Sequence, residues 1–199
     1  MADEAEETRK AVAEGKADIE EIKEVIQEER TMTNAQRAEV LTQALPYIQK
    51  YTDKIIVVKY GGNAMINHEL KQAVMSDIIL LSLVGVKIVL VHGGGPEISG
   101  MLSKLGIESK FVGGLRYTDS DTAEVVQMVL AGKLNKNIAS DIGRLGGKAI
   151  GLCGKDAELI KVKKKPPLPD GVDLGHGGDI VSINTKLLDS LCKDEYIPV

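Results

Sequence analysis

Short apolar runs alternate with amphipathic stretches along most of this chain, and the alternation predicts repeated strands and helices. The runs at 55–60 and 86–91 are rich in Ile and Val and read as buried strands. The stretches that follow them carry apolar side chains at helical spacing. Strand and helix in repeated order predict βαβ units, so we expect an α/β fold with a mostly parallel sheet sandwiched by helices.

Eight elements make up this predicted core of the fold. The expected strands are 55–60, 86–91, a short one near 109–112, and 148–153, and the expected helices are 68–84, 96–105, 119–131 and about 133–145.

The pattern changes after residue 158. An extended piece at 159–163 and a strand at 179–183 flank proline and glycine positions that break regular structure. We expect a hairpin-like excursion from the main sheet there. The lysines at 163–165 fit either a solvated rim or a patch that attracts phosphates. A helix at 185–192 and the start of a strand at 196–199 complete the predicted elements.

The first 31 residues form a highly charged segment with eleven acidic and five basic side chains, a net charge of −6. Its few apolar positions fall on one helical stripe, so it reads either as a solvated helix or as a helix that needs a partner surface. It also fits an alternative start or an extension added in cloning, because Met32 follows directly. The domain expectation is therefore an acidic extension at 1–31 and one domain at 32–199.

A second, better defined helix is predicted directly after Met32. Thr33 and Gln36 stand at the spacing of a capping box. The helix ends near Tyr51, and its apolar positions share one face: Val40, Leu41, Ala44, Leu45 and Ile48.

Composition and charge exclude several classes of protein. The 199 residues are 43% hydrophobic with a net charge of −4. This charge produces no electrostatic field that would attract nucleic acid or a membrane surface. The longest uncharged apolar run, 78–86, is far below the roughly 20 residues of a membrane span. Cys153 and Cys192 form no CxxC pair and are expected as free thiols. Without a signal sequence in view, we expect a cytoplasmic protein.

Two glycine turns carry the candidate chemistry. Gly61 and Gly62 follow the first strand, and the glycines at 93–95 follow the second. A glycine turn between a strand and a helix exposes backbone N–H groups to which the helix dipole adds positive potential, so each turn predicts an anion site. The second turn matches neither GxGxxG nor a Walker A sequence, which argues against a dinucleotide site or a P-loop.

Three charged or titratable residues accompany the turns. Lys59 interrupts an apolar strand, so its head should emerge at the strand end, either toward a bound anion or toward a carboxylate partner. Arg116 precedes a predicted N-cap at Thr118 and suits either a carboxylate ligand or a surface ion pair. His92 is interpreted as a hydrogen-bonded packing residue, and the three histidines of the chain give no metal site by spacing.

At this point the sequence resembles the N-acetylglutamate kinases of the amino-acid kinase family. The resemblance runs from about Met32 to Val199, and single motifs are shared with carbamate kinases and aspartokinases. The segments that carry it are KYGGNAM at 59–65, HGGGP at 92–96, GLRYTD at 114–119 and LNK at 134–136.

The resemblance implies an amino-acid kinase-like three-layer αβα fold with an added N-terminal helix. It implies phosphorylation of the γ-carboxylate of N-acetyl-L-glutamate by ATP and Mg²⁺, a step of arginine biosynthesis. Lys59 would stabilise the transferring phosphoryl group, with Gly61 and Gly62 as phosphate-binding donors. Gly94 and Gly95 would hold the reacting carboxylate, and Arg116 would clamp the α-carboxylate.

The chain also departs from the family pattern in one respect, and alternatives remain open. The family chain continues past the position of Val199 with a half that supplies most of the ATP and metal site, so this chain would be the substrate-binding half. The family implies a homo-oligomer, a dimer or a hexamer joined by the N-terminal helix. The alternatives are another amino-acid kinase of the carbamate kinase or aspartokinase type, and a non-catalytic dimerisation or assembly module that uses the apolar face of the helix at 119–131.

Overall fold

The computed structural model describes residues 32–169 and 171–199. The expectations for residues 1–31 lie outside the described residues. The chain divides into two units, one ending at Lys50 and the other spanning Tyr51–Val199.

Helix α1, Asn34–Tyr51, begins with the predicted capping box. Gln36 N donates to Thr33 Oγ1 at 3.2 Å, and Thr33 N donates to Gln36 Oε1 at 2.8 Å. The side chains therefore satisfy two N–H groups that the first helical turn leaves without partners. None of its residues is buried, and Leu41 in the predicted apolar face is 68% exposed.

The second unit is built around the parallel pair β1, Ile55–Tyr60, and β2, Lys87–His92. The one-turn helix α2, Asn63–Ile66, and helix α3, His68–Leu83, connect them. The main core lies on one face of the pair, where alternate strand residues meet α3. Its buried members include Tyr60, Met75, Ile78, Ile79, Val86, Ile88 and Leu90.

Helix α4, Gly95–Lys104, follows β2 and leads to a hairpin of β3, Phe111–Val112, and β4, Leu115–Arg116. The strand predicted near 109–112 corresponds to β3, whereas β4, which is equally short, is not predicted from the sequence.

One long helical segment replaces the two helices predicted at 119–131 and 133–145. Helix α5, Ser120–Gln127, continues through a π-helix, Met128–Leu134, into α6, Asn135–Arg144. Asp119, and not the predicted Thr118, caps α5, because its carboxylate accepts from Thr122 N at 2.9 Å. A second buried cluster joins α4 to this segment through Ile98, Leu102, Val125 and Val129. The apolar face of α5 therefore packs inside the unit.

The remaining strands extend the parallel arrangement and form the predicted hairpin. β5, Ala149–Ile150, pairs in parallel with β8, Ile197–Pro198, which also contacts β2. β6, Ile160–Lys164, and β7, Gly178–Ile183, are antiparallel, as the hairpin interpretation requires.

Helix α7, Thr185–Lys193, contacts β2 and β8. Its Leu188 borders a cavity of about 550 Å³ together with Val57, Val89 and Val91, which point away from the main core. Helix α7 thus covers only part of this second face, where Val57 remains 65% exposed, so β1 is less buried than the sequence predicts. The predicted α/β class is confirmed.

The structure adds two observations on chemistry. Cys153 and Cys192 are free thiols, and burial raises the pKa of Cys192 above its usual range. Within residues 32–169 and 171–199, no helix is both long enough and apolar enough to cross a bilayer.

Candidate functional site

The two glycine loops leave the same edge of the sheet side by side. β1 and β2 are parallel and in register, with Lys59 opposite Val91 and Tyr60 opposite His92. Neighbouring strands lie about 4.8 Å apart, so the loops that follow positions 60 and 92 begin as neighbours. Parallel strands place ligand sites outside their carboxyl ends in this way. The structure therefore brings the two predicted anion sites together.

Lys59 is exposed at the end of β1, as the sequence predicts. Its strand neighbours Val58 and Tyr60 pack against the main core, so Lys59 faces the opposite side of the sheet. Its ammonium group makes no hydrogen bond or ion pair with any part of the chain that the structure describes. The carboxylate partner that is the alternative for Lys59 is therefore not found among those residues, and its ammonium group is available to a bound anion.

The first loop turns through a glycine in the left-handed region. Gly62 has φ +61°, a conformation that L side chains rarely adopt, and Met65 N donates to Gly62 O at 3.1 Å as α2 begins. Gly61 differs, because a Cβ built on it meets no atom within 4 Å. Packing within the described protein does not demand glycine at position 61, which leaves its backbone open to approach by a ligand.

The second loop is held from behind by the π-helix. A Cβ built on Gly94 would lie 2.3 Å from Leu134 Cδ1 and 2.7 Å from Leu130 Cδ2, so only glycine fits without movement. Gly95 opens α4, and Ile98 N donating to Gly94 O at 3.0 Å closes the first helical turn. The N–H groups of a first turn have no intrahelical acceptor and carry the positive end of the helix dipole.

Arg116 lies beside this second loop. Its guanidinium donates to Gly95 O at 3.4 Å and to Ser99 Oγ at 2.9 Å, and it also contacts Ser109 Oγ. The guanidinium carbon stacks over the Phe111 ring, 4.6 Å from the centroid. All of these partners are neutral, so the charge of Arg116 is not cancelled. The interpretation as a surface ion pair is not supported among the described residues.

Sequence reasoning missed the residues that hold the site in place. Ser99 and Ser109 orient Arg116, yet a serine on a helix or a loop carries no pattern that predicts such a contact. Asn135 is another: it is only 2% exposed and its amide bonds to His92 at the end of β2. A polar residue at a core position of an amphipathic helix was the available signal.

One carboxylate lies at this edge: Glu97 is in the first turn of α4, and its Oε2 lies 3.7 Å from the Cβ position built on Gly94. Burial, and then the Coulombic effect of Asp141, raise the pKa of Tyr60, whose hydroxyl donates to Ala64 O at 2.9 Å. Asp141 itself pairs with Lys71 at 2.6 Å. In the described ranges no group of three or more His, Cys, Asp or Glu side chains is arranged to hold a metal ion. The site therefore presents two cations and free amides to a ligand, next to the carboxylate of Glu97.

The sequence also matches the model of a known protein family. The model of the amino acid kinase family matches residues 54–199, close to three quarters of the chain. The chain belongs to the amino acid kinase family. The match covers every residue predicted for the site, from Lys59 to Arg116.

Individual curated relatives show which members of the family this chain is similar to. The chain is 55% identical over 168 residues to the acetylglutamate kinase of Clostridium beijerinckii, which covers 84% of the chain and 58% of that enzyme. It is 57% identical over 166 residues to the acetylglutamate kinase of Caldicellulosiruptor saccharolyticus, with coverage of 82% and 57%. The resemblance to acetylglutamate kinases is confirmed, and the chain spans somewhat more than half the length of these relatives.

Solved structures share the fold. The crystal structure of smu.665 from Streptococcus mutans superposes with a TM-score of 0.63 at 25% identity, covering 73% of this chain and 57% of that one. N-acetylglutamate synthase from Neisseria gonorrhoeae, complexed with coenzyme A and N-acetyl-glutamate, gives a TM-score of 0.59 at 21% identity, with coverage of 79% and 35%. The second likeness is one of fold alone.

Proposed function

We propose that this chain binds N-acetyl-L-glutamate and provides the acceptor side of an acetylglutamate kinase. In the proposed reaction the γ-carboxylate attacks the γ-phosphorus of ATP and forms an acyl phosphate, and ADP leaves. The curated relatives bear that name, and the site has the chemistry the reaction needs. A carboxylate is ionised at pH 7, so it needs no general base.

One observation carries the proposal. Two glycine loops, an ammonium group with no partner among the described residues, and an arginine held by neutral groups meet at one edge of the parallel strands. The obstacle to phosphorylating a carboxylate is the repulsion between two anions. Fixed N–H donors and cations reduce that repulsion without having to reorganise during the reaction.

The proposed roles follow from position. Lys59 stabilises the transferring phosphoryl group, and the amides of Gly61 and Gly62 donate to its oxygens. Gly94 and Gly95 hold the reacting carboxylate through their N–H groups. Arg116 binds the α-carboxylate, since its guanidinium fork is always charged and matches a carboxylate.

ATP enters as the second substrate, accompanied by Mg²⁺. The described residues provide no set of carboxylates for that ion. We propose that most of the nucleotide site belongs to the part of the relatives' length that this chain does not span.

Calorimetry tests the assignment of the substrate. N-acetyl-L-glutamate should bind the chain, and Arg116→Ala should weaken binding roughly tenfold to a hundredfold, as expected for loss of a charge-assisted contact. Arg144→Ala is the matched control, because Arg144 is exposed and pairs with Asp141 on α6. Equal affinities for the two variants would remove Arg116 from the site.

Turnover tests the role of Lys59. In a chain extended to the relatives' full length, Lys59→Ala should lower kcat roughly 10²–10³-fold, because it removes a charge that stabilises the transition state. Lys54→Ala, just before β1, serves as the control. Turnover unchanged by Lys59→Ala would exclude it from the mechanism.

We further propose that the protein is a cytoplasmic homo-oligomer that assembles through α1. The apolar face of α1 is exposed, which supports a contact between copies. The solution mass should exceed the 21.4 kDa of one chain. The mass should fall toward that of one chain in the Leu41→Glu variant. After removal of residues 1–31, the assembly should contain the same number of chains as before. A monomeric mass for the unaltered chain would contradict the assembly.

A further inference from the structure

His92 ends β2 immediately before the glycine loop and takes part in hydrogen bonds on both sides of its ring. Nδ1 lies 2.9 Å from Gly93 O, and Nε2 lies 3.3 Å from Asn135 Nδ2. We propose that His92 is a positioning residue that directs the Gly94 N–H toward the bound carboxylate, with Asn135 setting the orientation and protonation of the ring. This inference rests on the proposed role of Gly94.

The orientation of the Asn135 amide is determined by its surroundings. Nδ2 donates to Val199 O at 2.8 Å and lies 3.3 Å from Leu152 O, while Oδ1 accepts from Lys136 Nζ at 3.1 Å. A flipped amide would place its oxygen against two carbonyl oxygens and its NH₂ group against an ammonium. Asn135 therefore presents N–H, and not oxygen, to His92.

The tautomer of His92 follows from that donor. The two N–H groups of Asn135 are shared among Val199 O, Leu152 O and His92 Nε2, and a contact between Nε2 and an N–H donor favours the tautomer in which Nε2 carries no proton. The proton of the neutral ring then resides on Nδ1, which donates to Gly93 O. The buried amide of Asn135 thus determines which nitrogen of the His92 ring donates a hydrogen bond to Gly93 O.

The peptide between Gly93 and Gly94 links the tautomer of His92 to the direction of the Gly94 N–H. Its C=O and N–H lie in one plane and point in opposite directions. When Gly93 O is held toward the ring, the Gly94 N–H is directed away from it. That N–H donates to no acceptor within the described residues. Glycines on both sides leave this peptide otherwise free to rotate, so the bond to His92 limits the rotation.

Two substitutions of His92 distinguish the effect of the hydrogen bond at Nδ1 from that of the contact at Nε2. In His92→Asn the side-chain amide lies near the Nδ1 position and can still donate to Gly93 O, but it does not reach Asn135. In His92→Gln the longer chain reaches Asn135 with its oxygen and lacks the donor to Gly93. Comparing them isolates the bond to the loop from general packing.

Calorimetry with N-acetyl-L-glutamate on the whole chain is the first measurement. His92→Gln should weaken binding about tenfold, the effect of one lost hydrogen bond, while His92→Asn should stay within about threefold of the unaltered chain. Equal affinities for the two variants, with binding by the unaltered chain intact, overturn the positioning role and leave the proposed function standing.

The ring nitrogens provide a second measurement that needs no ligand. Nitrogen-15 spectra of the histidine-labelled chain at neutral pH should show His92 protonated at Nδ1 and unprotonated at Nε2. The opposite tautomer overturns the inference. Failure of the unaltered chain to bind N-acetyl-L-glutamate contradicts the proposed function. Even then, the spectra test independently whether Asn135 determines the tautomer of the His92 ring.

Discussion

At the scale of single residues, the neighbouring glycines of the second loop differ in what requires them. Gly94 faces the methyl groups of Leu130 and Leu134, whereas a Cβ on Gly93 or Gly95 would meet no atom within 4 Å. The first case is a demand of packing. At the other two positions the described protein leaves space, which is where a ligand can approach the backbone. Packing therefore requires glycine at position 94, in addition to the N–H role proposed for it, and imposes no such requirement at positions 93 and 95.

Gly94→Ala should lower the free energy of unfolding by about 1–3 kcal/mol, the usual cost of forcing an extra methyl group into a packed site. Gly93→Ala is the matched control and should change it by less than about 0.5 kcal/mol. Urea unfolding followed by circular dichroism measures both. The double variant Gly94→Ala with Leu134→Ala should lose less stability than the two single changes added together, because the second change makes room for the first. Additive losses would refute the proposed clash.

At the scale of elements, the sequence predicts those whose signal is local and misses those that depend on packing. The strand at 55–60 and the helix after Thr33 are predictable because apolar runs and capping residues are short-range patterns. The π-helix at Met128–Leu134 is not, since the same residues fit an ordinary helix and the wider turn is set by tertiary packing. The same division holds in the site: the glycine turns are visible in the sequence, Ser99 and Ser109 are not, and Asn135 is marked only as a polar residue at a core position of its helix.

Helix α5 provides a prediction at this scale, through the carboxylate of Asp119 at its N-terminus. The backbone N–H of Thr122 and then the second hydrogen bond to Thr122 lower the pKa of Asp119 below its ordinary value of 3.8. A lowered pKa means that the folded state favours the ionised form. The resulting stability is complete above about pH 5 and is lost as the pH falls through the folded-state pKa.

Asp119→Asn tests this assignment, because asparagine also caps helices but does not titrate. Urea unfolding from pH 7 to pH 3 should show the difference in stability between the two proteins shrinking as the pH falls below about 4. Lys110, the nearby cation, also lowers the pKa of Asp119, so the effect should weaken in high salt. A difference that is constant with pH would show that Asp119 contributes no ionised cap.

At the scale of the whole molecule, every residue of the candidate site belongs to the unit Tyr51–Val199. The loops at the ends of β1 and β2, the π-helix that backs Gly94 and the hairpin that carries Arg116 are all parts of that unit. Parallel pairing gathers the loops at one edge, and the helical segment from α5 to α6 supports that edge from behind. The family match at residues 54–199 coincides with the same unit. The site therefore depends on tertiary packing within one part of the chain.

This arrangement predicts that residues 51–199 retain ligand binding without the first 50 residues. A ligand that binds only the folded state stabilises it by RT ln(1 + [L]/Kd), which is about 1.4 kcal/mol when its concentration is ten times Kd. N-acetyl-L-glutamate should raise the free energy of unfolding of the whole chain and of residues 51–199 by this same amount, measured by urea unfolding. Arg116→Ala in each chain is the control and should remove most of the increase at that concentration, because its affinity is lower. If the shorter chain unfolds cooperatively but gains nothing from the ligand, residues before Tyr51 contribute to the site, and its confinement to one unit is wrong.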